Sequence, residues 1–313
     1  MKGFQAGDRR QWRRLVLSAA FAVAFIIATD NAFADSGNPE RGKYLFDAAG
    51  CLGCHTDTKN KGKPLAGGRA FKTPFGTFYS PNITPDRKTG IGNWSDDDFV
   101  RAIRNGVSPD REHYYPVFPY ASYTGMALDD IVDIKAYLFS TPSIAKPNRP
   151  HDLEFPFSWR FVMTGWKLLF FQTGPFEPDP ARSPEWNRGA YLVEALGHCA
   201  ECHTPRNRFG GLERDMWLAG TKTGPEGGMV PNITPDKATG IGAWTDNDLA
   251  NALKIGMLPD GDFVGEGMAE FVENSGSRLN DNDIKAISVY LKALPPINNA
   301  VKTKTQSNSG NDW

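Results

Sequence analysis

All four cysteines of the chain stand in two copies of one pattern, Cys51-Leu-Gly-Cys54-His55-Thr and Cys199-Ala-Glu-Cys202-His203-Thr. Three chemistries use closely spaced cysteines. A closed zinc site needs two further ligands beside each motif, or a four-cysteine set bridging both. A thioredoxin-type redox pair needs a strand leading into a helix, and no strand pattern precedes either motif. Covalent attachment of c-type haem needs this pattern as it stands: the two thiols add to the two vinyl groups, and the adjacent histidine becomes the proximal iron ligand. Two such motifs consume every thiol, so no disulfide is left to form. The expectation is therefore two haem c groups, anchored by Cys51, Cys54 and His55 and by Cys199, Cys202 and His203.

The elements that must position these motifs repeat as well. Pro81–Gly106 (PNITPDRKTGIGNWSDDDFVRAIRNG) returns as Pro231–Gly256 (PNITPDKATGIGAWTDNDLANALKIG), identical at 15 of 26 positions. An internal duplication is the simplest account. Each copy reads as helical. A first helix opens at Asn38-Pro39-Glu40 or Ser183-Pro184-Glu185, with a capping side chain, a proline in the first turn and an acid at the positive end. A middle helix starts at Ser95 or Thr245, with Asp98 or Asp248 completing a capping box, and stops near Gly106 or Gly256. A last helix spans Asp130–Phe139 or Asn282–Leu294, with apolar residues at helical spacing. The fold class expected is all-α, with long Gly- and Pro-rich loops that suit a core partly filled by macrocycles.

The N-terminus reads differently. Lys2, Arg9, Arg10, Arg13 and Arg14 precede the apolar run Leu15–Ala28, and Ala32-Phe33-Ala34 follows as a small-x-small end, the pattern of a cleaved secretory signal. The run is shorter than the roughly 20 residues of a spanning helix. Without residues 1–34, the 35 basic and 36 acidic side chains fall to 30 and 34, a net charge of −4 in place of −1. No basic block remains, which argues against a nucleic-acid partner. The expected organisation is a signal peptide over 1–34, a first domain over 35–140, a Pro-rich linker over 141–182, a second domain over 183–296 and a polar tail over 297–313, in a periplasmic protein. Within the linker, Phe161–Phe171 is the most apolar stretch, but it is short and carries Lys167. It is expected to be a buried linker or a docking surface.

These features resemble the bacterial di-haem cytochromes c. The layout is similar to the cytochrome c subunits of membrane-associated alcohol, aldehyde and sugar-acid dehydrogenases, through the two cysteine motifs, the paired NITPD segments, Tyr114–Thr124 and Gly261–Val272. The resemblance covers about Asn38 to Pro296 and implies two tandem cytochrome c-type domains. The implied function is single-electron transfer in respiration, from a dehydrogenase subunit or other redox protein to a quinone, another cytochrome or an oxidase. Peripheral membrane association would fit that role. The resemblance also implies Met268 as the sixth ligand of the second iron. Counting 36 residues from Asn232 reaches Met268, but the same count from Asn82 reaches Phe118, which cannot ligate. Met126 is the preferred sixth ligand for the first iron; His113 or an open position are the alternatives. An open first iron would favour a rival reading, a di-haem peroxidase or thiosulfate dehydrogenase-like enzyme. Trp94 and Trp244 are candidate donors to haem propionates, and Gly42 and Gly189 candidate crossing points near Tyr137 and Tyr290. His151 and His198 are expected at the surface.

Overall fold

The Asn38 side chain accepts the backbone N–H groups of Glu40 and Arg41, and Pro39 opens the first helix. The computed structural model describes residues 37–225 and 227–301, so the expected leader and residues 302–313 lie outside the described residues. The principal helices are α1 (Pro39–Ala48), α2 (Asp96–Asn105), α3 (Leu128–Ser140), α4 (Val162–Phe170), α5 (Pro184–Tyr191), α6 (Asp246–Lys254), α7 (Glu266–Asn274) and α8 (Asp281–Lys292). One-turn helices carry Cys51–Cys54, Tyr120–Tyr123 and Ala200–His203.

The repeat is visible in the caps. Ser183 begins α5 as Asn38 begins α1, again with proline at the first position. Ser95 with Asp98, and Thr245 with Asp248, form the expected capping boxes of α2 and α6. In both copies the first helix crosses the last at a glycine. A Cβ on Gly42 would overlap the Asp133 carbonyl of α3, and one on Gly189 the Ala286 carbonyl of α8. Beside these crossings Phe46 lies 5.1 Å from Tyr137 and Trp186 5.2 Å from Tyr290, ring centre to ring centre.

Between the crossing and the motif the copies differ by one residue: Gly42 to Cys51 is nine steps, Gly189 to Cys199 is ten. The second copy absorbs the extra residue in a π-helical turn, Leu192–Leu196, at the end of α5. Both copies share one apolar core. Leu45, Phe46, Ile131 and Ile134 of the first run continuously into Ala190, Val193, Leu196, Ile284 and Ile287 of the second.

The all-α expectation needs correction: the structure is mostly helical but contains a small antiparallel sheet. β1 (Ala70–Thr73) and β2 (Gly76–Tyr79) form a hairpin, and β3 (Asp152–Leu153), from the linker, pairs with β2. Gly76, at φ 119°, permits the tight turn. Four residues a side is too short for alternation to stand out from loop sequence. The linker then folds back through α4, whose Met163 is buried against Phe78 and Tyr115. The proline-rich stretch that follows, residues 173–182, has no helix or strand, as expected.

Candidate haem-attachment sites

The two motifs are built alike. Cys51 and Cys199 are half-buried and Cys54 and Cys202 exposed, and none of the four is in a disulfide. Burial, reinforced by the neighbouring thiol, pushes the Cys51 and Cys199 thiols up to about 12. Each motif histidine turns Nδ1 to a proline carbonyl at 2.9 Å: His55 to Pro81 and His203 to Pro231. A carbonyl only accepts, so Nδ1 carries the proton and the Nε2 lone pair is free for a metal. Burial lowers the pKa of both rings, against the raising effect of the proline carbonyl, which keeps them in the neutral, ligating form.

The repeated threonine after each histidine also has a structural job. Thr56 Oγ1 accepts the Leu65 N–H at 3.2 Å and Thr204 Oγ1 the Leu218 N–H at 3.0 Å. Those leucines are buried and left-handed, with φ 62° and 58°. That conformation strains a side chain with a Cβ, so its recurrence beside both motifs marks a geometry the fold enforces. The Leu65 and Leu218 carbonyls in turn accept from Ile83 and Ile233, inside the NITPD segments.

Those segments are clamps. Asn82 Nδ2 donates to the carbonyls of Ile144 (2.7 Å) and Lys146 (3.2 Å), and Asn232 Nδ2 to that of Ile297 (2.8 Å). Thr84 and Thr234 donate to the asparagine Oδ1 at 2.7 Å in each copy. The chain leaving the last helix is thereby fastened to the loop whose proline carbonyl orients the histidine.

After the middle helix the copies keep a register of 150. The bridge Val107–His113 repeats as Met257–Phe263, and the bond from Tyr114 N to the Gly106 carbonyl repeats from Val264 to Gly256. Phe118 therefore corresponds to Met268, and both are half-buried. Met268 lies in the first turn of α7. Phe118 is set among Tyr114, Tyr120 and Tyr123, at 5.8–6.4 Å between ring centres.

Met126 is placed otherwise. It is 2% exposed, immediately before the residue that caps α3, where Leu279 stands before the cap of α8. Each has a buried isoleucine five residues on, Ile131 or Ile284, the arrangement of a hydrophobic staple. His113 accepts from Lys167 at Nδ1, 3.0 Å away, and that ammonium also caps the Asn105 and Gly106 carbonyls at the end of α2. Burial pushes Lys167 down to about 8.

Two histidines expected at the surface are packed in. His151 Nδ1 accepts the Tyr79 N–H at 3.2 Å, its ring against Phe78 and Tyr115, and burial, with Arg160 nearby, lowers it to about 4. His198 packs edge-on to Tyr123, with Nε2 3.3 Å from the Ala49 carbonyl. It links the residue before the second motif to the chain entering the first.

The residues fit a covalently held haem. Around each motif, apolar side chains at matched positions are only half covered: Ile83 and Ile233, Trp94 and Trp244, Ile103 and Leu253. That is the apolar wall a flat macrocycle would cover. Trp94 also borders a cleft of about 500 Å³ between the loop after Asp86 and the loop Ser108–Tyr114. Among the described residues no cluster of three or more His, Cys, Asp or Glu could hold a metal instead. Paired thiols, an oriented imidazole and an apolar wall together make a candidate haem-attachment site, present twice.

Comparison with known proteins agrees. The family model for cytochrome c matches residues 39–142. A diheme cytochrome c-type protein of Cereibacter sphaeroides is 46% identical over 269 residues, 84% of this chain and 88% of that protein. The fructose dehydrogenase cytochrome subunit of Gluconobacter japonicus is 37% identical over 294 residues, and the gluconate 2-dehydrogenase cytochrome c subunit of Pantoea cypripedii 38% over 263. These alignments take in 90% and 82% of this chain, but only 60% and 59% of those two relatives. The chain belongs to the cytochrome c family.

Proposed function

We propose that this chain is an exported, periplasmic electron carrier with two covalent haem c groups. It takes single electrons from a dehydrogenase subunit or other redox protein and hands them to a quinone, another cytochrome or an oxidase. The observation that carries this reading is the repeated unit of paired cysteines with a histidine whose Nδ1 is held by a proline carbonyl. The names of the relatives, a diheme cytochrome and two dehydrogenase cytochrome subunits, support the haem number and the partner class.

Bound haem would supply an iron that cycles between ferric and ferrous states. The chain's part is to hold it. Cys51, Cys54, Cys199 and Cys202 would anchor the macrocycles, and His55 and His203 would offer Nε2 to the iron. Met268 offers a thioether at the position where the first copy has Phe118. Met126 packs as a staple at the start of α3, and Phe118, at the equivalent of Met268, would offer the first iron no sulfur. The two copies act as tandem haem domains around a shared core, each with its own axial environment and so its own potential.

The test is a haem-stained denaturing gel with intact mass on protein made in a host that exports and matures c-type cytochromes. Two haems per chain are expected, and one after Cys199→Ala with Cys202→Ala. A wild-type protein with one haem or none would sink the proposal.

A further inference from the structure

Helix α4 has two apolar faces, and the fold covers one. Met163, Trp166 and Phe170 turn inward, toward the sheet and the first copy. Phe161, just before the helix, then Thr164, Gly165, Leu168 and Leu169 follow at steps of 3, 4, 7 and 8, a single outward stripe with no charge in it. Phe161 is 69% exposed, Leu168 86% and Leu169 73%. Phe155 and Trp159 lead by ring contacts into Phe161, and on the other side the exposed Phe209 stacks on the half-buried Phe170. A helix apolar on both faces is normally buried on both, and a contiguous apolar patch of this kind marks an interaction surface.

Charge indicates what covers it. The chain is net negative, yet no acidic residue occurs from Phe155 to Phe176. The charges in that stretch are Arg160 and Lys167. Arg208 adds an exposed guanidinium over Phe209. Lys167 is turned inward onto the end of α2, and Arg160 is shared with Glu112 at 3.3 Å. The margin of the patch carries Arg208 and the Arg160–Glu112 pair, with Glu154 beside Phe155, while its centre is uncharged. Leucines this far out of the surface are knobs, and knobs suit a fluid phase that needs no matching pockets. Nine residues at 1.5 Å each give about 13 Å, far short of the roughly 30 Å hydrocarbon core, so the helix would lie in the plane of a bilayer. We propose that α4 and its flanks, Phe155–Phe170 with Phe209, seat this protein on the surface of a lipid bilayer. Leucyl and aromatic side chains would enter the acyl boundary, with Arg160 and Arg208 at the level of anionic headgroups. This goes beyond the haem reading and does not depend on it.

The test is co-sedimentation of the haem-loaded protein with vesicles of phosphatidylcholine, with and without phosphatidylglycerol. Binding is expected to both, and tighter with the anionic lipid. The double variant Leu168→Glu, Leu169→Glu should lose bound protein on the order of tenfold, with haem content and melting temperature unchanged. Phe161→Glu gives a second reading should the double variant fold poorly. Ile255→Glu, an exposed apolar residue at the end of α6, should bind as wild type does. Wild type left in the supernatant with both vesicle types would overturn the proposal. So would charge variants that still sediment fully, or a dimer that the double variant splits, since the face would then belong to a second copy.

Discussion

Arg69 grips the carboxylate of Glu270 with both terminal guanidinium nitrogens, Nη2 to Oε2 at 2.8 Å, while Nη1 also donates to the Gly53 carbonyl at 2.9 Å. Gly53 lies between the two cysteines of the first motif, and Glu270 lies two residues beyond Met268 on α7. The segment that carries Met268 is thus clamped to the first copy's Cys-x-x-Cys-His motif. A Cβ at Gly53 would stand 2.7 Å from Glu270 Oε1, so the carboxylate would have to shift to keep this contact.

Glu270→Ala should loosen both ends of that clamp. The pair is partly exposed, so the expected loss of stability is modest, about 1–2 kcal/mol. The informative readout is spectroscopic: weakening of the methionine–iron band of the second haem, with partial recovery in Glu270→Asp. A band unchanged in Glu270→Ala, despite a lower melting temperature, would reduce the pair to a structural tie.

The seam should also be acid-sensitive. Burial alone would raise the pKa of Asp283, but Arg188, at 2.8 and 2.7 Å, and the Tyr44 hydroxyl, at 2.5 Å, outweigh it and hold the carboxyl below its ordinary value. A carboxyl depressed by folding contributes stability above its unfolded pKa of about 3.9 and loses it as pH falls through the lower folded value. Melting temperature should therefore drop as pH is taken below about 4, and Asp283→Asn should flatten part of that drop at a cost of about 2–3 kcal/mol at neutral pH. An identical acid profile in Asp283→Asn would show that other carboxyls govern it.

The sequence carries the attachment chemistry openly, because covalent anchoring fixes residue types at fixed spacing. Cys51, Cys54 and His55 need no fold to be recognised, and the caps at Ser95 and Thr245 are local as well. Contacts between distant residues leave no such trace. Nothing near Arg69 announces Glu270, 201 positions away, and nothing in the glycine-bearing loops announces a left-handed Leu65 or Leu218. The repeated threonines Thr56 and Thr204 were a usable signal for that turn. His151 and His198 look solvent-facing in sequence because their partners, Tyr79 and Ala49, come from other segments. The π-helical turn before Cys199 was legible only as a one-residue difference in register.

The glycine crossings can be tested directly. Gly42→Ala and Gly189→Ala each press a methyl group onto the backbone of the facing helix, which cannot yield as a side chain does. Each should cost about 3 kcal/mol or more, at the upper end for overpacking, and lower the yield of haem-loaded protein. Gly165→Ala is the control: a Cβ there meets nothing within 4 Å, and an added alanine favours the helix. Thermal melts of the three variants would decide it, and a Gly42→Ala protein as stable as wild type would mean the helices can part at that crossing.

The two irons should differ in ligation. Phe118 and Met268 hold equivalent, half-covered positions, while Met126 and Leu279 hold equivalent, fully buried ones before the last helix. Met126→Leu therefore places in the first copy the residue that the second already uses. It should leave the ferric spectra of both haems unchanged and cost less than about 1.5 kcal/mol. Met268→Ala should remove the methionine band of the second haem alone. The first haem, without a methionine sulfur, should show a high-spin ferric fraction in the wild type that is converted by cyanide or imidazole. Phe118→Met should reduce that fraction by restoring a thioether at the equivalent position. A Met126→Leu protein that loses a methionine band would return Met126 to the iron. A wild type low-spin at both haems and indifferent to cyanide would point to His113, whose Nε2 would then have to reach the metal while Nδ1 stays on Lys167.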